Sequence, residues 1–406
     1  MHPKHLKIED FSYDLPQEKI AYHPVNPRDS SQILIYNKGN ISRNTYRNIS
    51  QYLDEECVLV FNDTKVIKSR IFFQKDTGAN IEIFCLEPYD ETSNYEEHFQ
   101  QTDYVLWKCL VGKAGKWKEK KLTKKIVIND KEVLLYAEIV EKLEDAFVIK
   151  LSWNPANISF GEIIEVAGNT PLPPYIKRKA TSEDENRYQT IYSEFDGSVA
   201  APTAGLHFTQ NILNDLKEKK IPTLFTTLHV GAGTFKPVKS ETMEDHHMHF
   251  EWMNLTTEFL TALKNQLDKK IISVGTTSMR TLESIYWMGN KIINQPEISF
   301  EDLKVTQWEP YENSENHPPK EAIEALLLWM KNRNLPHLLI ETGIIIAPGY
   351  SFKIVKGLIS NFHQPKSTLL LLVAALIGEN WKQVYEYALE NNFRFLSYGD
   401  GSLLLP

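Results

Sequence analysis

Cysteine is scarce in this chain of 406 residues: only Cys57, Cys85 and Cys109 are present. The count is odd, the spacings are wide, and each cysteine sits in an apolar, strand-like stretch ("CVLVF", "EIFCL", "LWKCLV"). Neither a disulfide framework nor a CxxC metal or redox motif is expected from that pattern, and reduced buried thiols are. Long apolar runs are missing too. The longest, "LLLLVAALI" at 369–377, is about half of the ~20 residues that a membrane span needs, so it is expected to be a buried helix, with no membrane partner. The opening "MHPKHLKIEDF" has neither an apolar core nor a small-residue cleavage pattern, which argues against a secretory leader and for a cytoplasmic location. Positive charge is in deficit: 45 Lys and Arg against 53 Asp and Glu, a net charge of −8. Bulk affinity for nucleic acid is therefore not expected, because that affinity rests on neutralising phosphates; a local basic patch remains open. There is no GxSxG, no HExxH, no convincing Ser-His-Asp arrangement and no internal repeat.

What remains is an ordinary soluble composition, 42% hydrophobic and 24% charged, on a chain long enough for two or more domains. Between 57 and 151 the chain reads as short strands rich in β-branched and aromatic residues: "CVLVF", "RIFF", "NIEIFCL", "YVLWKCLV", "KKIVI", "EVLLYAEIV" and "AFVIKL". Strands at that spacing suggest a small barrel or sandwich. From about 200 onward helices appear. "TQNILNDLKEKK" has Thr209 as a plausible N-cap, and "TTEFLTALKNQLDKK", "IISVG" and "TTSMRTLESIYWMG" alternate helix, strand and helix. The fold class is therefore α/β, with an all-β insertion: 1–64 and 152–406 as a discontinuous α/β domain, 65–151 as the insert. The polar stretch "QWEPYENSENHPPK" at 307–320 reads as a mobile loop.

Several segments carry residues suited to chemistry. "GSVAAPTAGLHFT" at 197–209 suits neither helix nor strand, with Gly197, Pro202 and Gly205 so close together. Its small side chains let main chain approach a ligand closely. "VGTTSMR" places Gly275, Thr276, Thr277 and Ser278 at a strand-to-helix turn, where free amides attract anions, and Arg280 one turn on. An ordinary capped turn fits those residues equally well. "NFHQPKST" sets His363, Lys366, Ser367 and Thr368 before an apolar helix. "LHVGAGTFKPV" holds Gly231 and Gly233 after His229, but it lacks the third glycine of a dinucleotide fingerprint, and Pro237 breaks the helix that should follow. "DHHMH" (Asp245, His246, His247, His249) has no recognised metal spacing, and no metal is expected there. "GKAGKWKEKKLTKK" at 112–125 carries seven lysines around Trp117; lysines that discourage strand pairing explain such a run as well as RNA binding does.

Taken in order, "FSYDLPQEKIAYHPVNPRDSSQILI", "LVFNDTKVIKSRI", "NTPLPPYIKR", "ENRYQTIYSEFDGSVAAPTAGLHFT", "TLHVGAGTFKPV", "VGTTSMRTLES", "APGYSFKIVKGLISNFHQPKSTLLLLV" and "FRFLSYGDGSLLL" resemble the S-adenosylmethionine:tRNA ribosyltransferase-isomerases of queuosine biosynthesis, from about residue 8 to residue 404. Four places differ from that pattern: Phe250 where a serine is usual, Gln364, Asn169 in place of a histidine-bearing turn, and Gly401. The resemblance implies a barrel-like α/β main domain with an inserted small β-barrel. It implies transfer of the ribosyl part of S-adenosylmethionine to a 7-aminomethyl-7-deazaguanine base in the tRNA anticodon loop. The sugar is rearranged to an epoxycyclopentane, and adenine and methionine leave. The sulfonium acidifies the neighbouring ribose carbon, so a general base is needed there, and water must be kept from the resulting ylide. His207 and His229 are the candidate bases. Thr203, Ala204, Gly205, Gly231, Gly233, Gly275, Thr276 and Thr277 are the candidate contacts to S-adenosylmethionine, the co-substrate. Lys65, Arg70, Lys177, Arg178, Arg280 and Lys366 are candidates for tRNA phosphates, with Tyr175 and Phe208 as stacking surfaces. A monomer or weak oligomer is expected. The residues by themselves also admit a methyltransferase, a non-catalytic RNA-binding protein, or a paralogue acting on another RNA or nucleoside.

Overall fold

The run Cys57–Asn62 is apolar up to its last residue, and it forms a strand buried along its whole length. Such a strand belongs inside a sheet that is covered on both faces. In the computed structural model, which describes all residues except 1, 90–94, 232–237, 239 and 313–314, it lies near the middle of a nine-stranded sheet. The order across that sheet is His337–Thr342, Glu251–Thr256, Thr223–His229, Cys57–Asn62, Lys270–Val274, Val355–Asn361, Gly401–Leu405, Gln32–Asn37 and Asn40–Thr45. Four neighbours, Thr223–His229, Cys57–Asn62, Lys270–Val274 and Val355–Asn361, run parallel. Antiparallel strands flank them, Glu251–Thr256 on one side and Gly401–Leu405 on the other.

The sheet belongs to a compact unit formed by Met1–Asp63, Thr190–Ser193 and Pro202–Pro406. Its helices form where the sequence leads one to expect them. Gln210–Glu218 is capped by Thr209, whose hydroxyl accepts from the Ile212 amide. Thr368–Ile377 is capped by Ser367. Thr276–Asn294 is buried at nearly every position from Thr276 to Asn290; a helix enclosed on all sides carries few charges, and those it has must find partners. One cluster of the core packs Phe61, Phe208, Tyr46, Ile272 and Leu403 together. The 307–320 stretch is not the loosely held loop that its composition suggests. Glu309–Glu312 is helical, the Tyr311 hydroxyl donates to the Ile345 carbonyl at 3.0 Å and accepts from the Ala347 amide at 2.9 Å, and Asn290 bonds Glu315 and His317.

The second compact unit is Thr64–Gln189 with Glu194–Ala201. Six of the expected strands, all but Cys57–Asn62, form with Gly168–Asn169 a seven-stranded antiparallel sheet in the order Gly168–Asn169, Arg70–Gln74, Asn80–Pro88, Tyr104–Gly112, Phe147–Asn154, Lys131–Lys142 and Leu122–Ile128. Among the described residues no ladder joins the two end strands. The alternation of buried and exposed positions along Tyr104–Gly112 and Leu122–Ile128 marks a sheet with one face on a core. Trp107, Trp153 and Phe160 fill that core, with ring centroids 5.3–5.9 Å apart. Residues 152–189 and 194–201 belong to this unit, where the sequence suggested an end at 151. Trp153 and the helix Phe160–Ala167 supply part of its core.

Candidate active site

The four parallel strands end along one edge of the sheet. In open α/β sheets that carboxyl edge is where ligands bind. Asn62 and Asp63, His229 to Gly231, Val274 and Gly275, and Asn361 all come to it. The sequence places these residues far apart, and a few buried polar bonds draw them together. Asn62 is completely buried. Its Nδ2 donates to the Leu228 carbonyl at 2.9 Å and to Thr277 Oγ1 at 3.3 Å, and its Oδ1 accepts from the Leu228 amide at 3.1 Å. One amide thus ties the strand leading into His229 to the start of the helix Thr276–Asn294. Next to it, Thr227 Oγ1 donates to Asp63 Oδ1 at 2.7 Å.

Gly275 precedes that helix with φ +94°, a conformation that side-chain-bearing residues avoid. Its amide donates to Ile359 at 2.8 Å, and no side chain caps the helix, so the first-turn amides keep their anion-binding capacity. A Cβ placed at Gly275 would lie 3.8 Å from Ala204 Cβ, which brings the Thr203–His207 turn to the same edge. Gly205 is required there by a close approach: a Cβ on it would fall 1.9 Å from the Tyr192 hydroxyl. Thr203 is only partly buried. At Gly231 a Cβ would meet no described atom within 4 Å. Gly233 lies outside the described residues.

His207, 4% exposed, stacks on Tyr46 with centroids 4.3 Å apart and 22° between the planes. Its Nε2 is 3.3 Å from Asn361 Nδ2. His229 is buried, and burial pulls its pKa down to about 4, because desolvation disfavours the charged imidazolium. The same cause takes His363 down to about 4, with Ser360 Oγ 2.8 Å from its Nε2. His229 and His363 are therefore neutral near pH 7.

The basic candidates divide. Arg280, expected as a phosphate contact, is 7% exposed. Its Nη1 binds Glu251, its Nε donates to the Ile344 carbonyl at 3.2 Å, and Glu251 Oε1 accepts from the Gly231 amide at 3.2 Å. Through Glu251 that guanidinium supports the Gly231 amide, and it does not face solvent. Phe208 is completely buried in edge-to-face contact with Phe61, so it offers no stacking face, and Trp117 is buried as well. Tyr175 is half-buried. Lys366 pairs with Glu9 at 2.7 Å, and Lys65 with Asp196 at 3.4 Å. Arg70, Lys177 and Arg178 line one cleft of about 750 Å³ in the strand-rich unit.

Asn62, Glu251, Glu283 and Asn361 escaped the sequence reading. Glu283 is completely buried. It accepts from the Tyr350 hydroxyl at 2.7 Å and from the amides of Lys353, Ile354 and Val355 at 2.9–3.0 Å, while burial raises its pKa. The available signal was a polar residue closing an otherwise apolar strand ("CVLVFN") and a carboxylate inside a helix without a polar face ("TLESIYWMG").

Known proteins resemble this chain over nearly its whole length. The family model described as "Queuosine biosynthesis protein" matches residues 8–404. A relative from Rickettsia bellii named S-adenosylmethionine:tRNA ribosyltransferase-isomerase is 38% identical over 404 residues, covering 98% of this chain and 99% of its own. One of the same name from Caldanaerobacter subterraneus subsp. tengcongensis is 37% identical over 407 residues, covering 98% and 100%. The crystal structure of an S-adenosylmethionine tRNA ribosyltransferase from Thermotoga maritima is 27% identical, covering 98% of this chain and 100% of that one, with a TM-score of 0.46. With a family model spanning nearly the whole chain and relatives well above 30% identity at full length, the chain belongs to the S-adenosylmethionine:tRNA ribosyltransferase-isomerase family of queuosine biosynthesis.

Proposed function

We propose that this chain transfers the ribosyl moiety of S-adenosylmethionine to a 7-aminomethyl-7-deazaguanine base of tRNA and isomerises it to the epoxycyclopentane, releasing adenine and methionine. The observation that carries the reading is the meeting of Thr203–His207, Gly231 and Gly275–Thr277 at the carboxyl edge of four parallel strands. The methionyl carboxylate sits at the uncapped amides of Thr276 and Thr277, where the helix dipole favours negative charge and Gly275, without a side chain, leaves room for its approach. The turn Thr203-Ala204-Gly205 lets main chain lie against the nucleoside, and Gly231, two residues beyond the strand Thr223–His229, borders it. His207 takes the ribose proton next to the sulfonium. His229, held neutral by burial, is the competing base. The burial of both imidazoles keeps water from the ylide. Asn361 and Tyr46 hold the His207 ring in place. Lys65 and Lys366 are further contacts for tRNA phosphates.

A single-turnover incubation with S-adenosylmethionine and precursor-bearing tRNA tests this. Free adenine is the expected product, and His207→Gln slows its release by about 10²–10⁴-fold, the usual range for a lost general base. S-adenosylhomocysteine in place of adenine, or no consumption of S-adenosylmethionine, refutes the reaction. Wild-type adenine release in His207→Gln together with its loss in His229→Gln moves the base to His229.

A further inference from the structure

The cleft in the strand-rich unit has a character that the reaction site does not explain. Five basic side chains and a single acidic one, Glu82, line it, in a chain whose net charge is −8. Two of the basic groups are committed to the protein. Arg70 Nη1 pairs with Glu82 at 2.6 Å. Arg178 makes a two-bond fork to the buried Asp184 at 2.6 and 2.8 Å. These pairs shape the walls. The other three, Lys113, Lys177 and Lys179, are exposed and have no ion pair among the described residues. Phe72 stands beside them, 41% exposed on the strand Arg70–Gln74. An exposed ring beside lysines without ion pairs presents the two groups that a single strand uses, an aromatic face and ammonium groups. A base stacks on such a ring while phosphates meet the ammonium groups. Asn80 and Asn169, also in the lining, offer amides suited to base edges.

We propose that this cleft holds a single-stranded segment of the RNA substrate, with Lys113, Lys177 and Lys179 on successive phosphates and Phe72 under an unpaired base. The proposal rests on the reading of tRNA as substrate and adds where on this chain the RNA is gripped. A duplex, whose bases are stacked on one another, has no free face for Phe72.

The test is titration of the full-length protein with an anticodon stem–loop RNA at several salt concentrations. The variants are the triple Lys113→Gln/Lys177→Gln/Lys179→Gln, Phe72→Ala, and a control pair, Lys118→Gln/Lys120→Gln, exposed lysines of the same basic run outside the cleft. Each phosphate contact to a single strand contributes roughly 0.7 to the slope of log affinity against log salt. The triple variant is therefore expected to lower that slope by about 2, so that between 50 and 200 mM salt the wild type loses about twentyfold more affinity than the variant. Phe72→Ala weakens binding roughly 5- to 150-fold, the range for one base stacked on an aromatic ring. The control pair changes the slope less than the triple variant, and a blunt RNA duplex competes poorly with the hairpin. Equal slopes for wild type and triple variant, full affinity in Phe72→Ala, or a control pair as damaging as the triple variant overturns the proposal. So does a wild type that binds no hairpin. Adenine release reads the reaction separately: a wild type that binds through the cleft yet frees no adenine keeps the RNA site and loses the reaction.

Discussion

Asn62 ties the strand leading into His229 to the helix Thr276–Asn294 at the proposed reaction edge, and replacing it separates that contribution from ordinary packing. Asn62→Ala removes a donor and an acceptor from the amide and carbonyl of Leu228, both bonded at 2.9–3.1 Å in a fully buried place. Each buried polar group left without a partner costs about 1–3 kcal/mol, so the variant is expected to lose roughly 2–6 kcal/mol in urea unfolding followed by circular dichroism. Asn62→Asp is the sharper test. Ionised, the carboxylate still accepts from the Leu228 amide but faces its carbonyl, close to Asp63, with a buried charge. Protonated, it reproduces both bonds of the asparagine. Burial and the neighbouring carboxylate raise the pKa of the introduced Asp. The folded state then binds the proton more tightly than the unfolded one, and the penalty relative to wild type shrinks as pH falls. The comparison is made at pH 8 and pH 5.5, with adenine release measured alongside. A loss in Asn62→Ala within about 0.5 kcal/mol of zero, the usual effect of a surface substitution, refutes the clamp. An Asn62→Asp penalty that stays constant over that pH range refutes the account of its chemistry.

Two more tests probe the same unit. His229 and His363 have pKa values lowered to about 4 against about 6.5 in an unfolded chain, so their contribution is complete above pH 6.5 and is lost as pH falls from there toward 4. Each contributes roughly 3 kcal/mol over the whole interval. Glu283 and Asp400, raised by burial, act in the opposite sense, so the change in stability between pH 6.5 and 5.5 is compared in wild type and His363→Gln; a smaller decline in the variant is expected, and identical changes in the two contradict the burial of the His363 imidazole. Arg280→Met is expected to lose about 3–5 kcal/mol by stranding Glu251, with Arg280→Met/Glu251→Leu recovering much of it; additive losses in the double-mutant cycle refute a coupled buried pair.

Local pattern made much of the fold legible. "CVLVF", "YVLWKCLV" and "IISVG" become strands because β-branched and aromatic residues fit a pleated surface, buried on both faces in the first and last and on one face in the second, and Thr209 caps its helix through a bond spanning only three residues. The glycine turns were visible for the same reason, since each follows an apolar strand. What composition hid was which polar groups are enclosed. Arg280 reads as a phosphate ligand because it lies one turn into a helix, yet its surroundings are set by Glu251, 29 residues away on another strand. Asn62 bonds Leu228 and Thr277 across 166 and 215 residues. The 307–320 stretch looks mobile by composition until Tyr311 meets the carbonyl of Ile345, 34 residues on. Each miss concerns a polar side chain whose partner is distant in sequence, where periodicity carries no information. The same physics explains why the reaction edge is built this way. A pocket that excludes water, as the proposed reaction needs, cannot be held by solvated surface groups, and here Gly231 and the start of Thr276–Asn294 are held from behind by Glu251 and Asn62. Each of those bonds is worth more in the apolar interior than in water and costs more when broken. Substitutions at Asn62 or Glu251 are therefore expected to impair catalysis through stability and alignment together, whereas changes at His207 impair it with the fold intact.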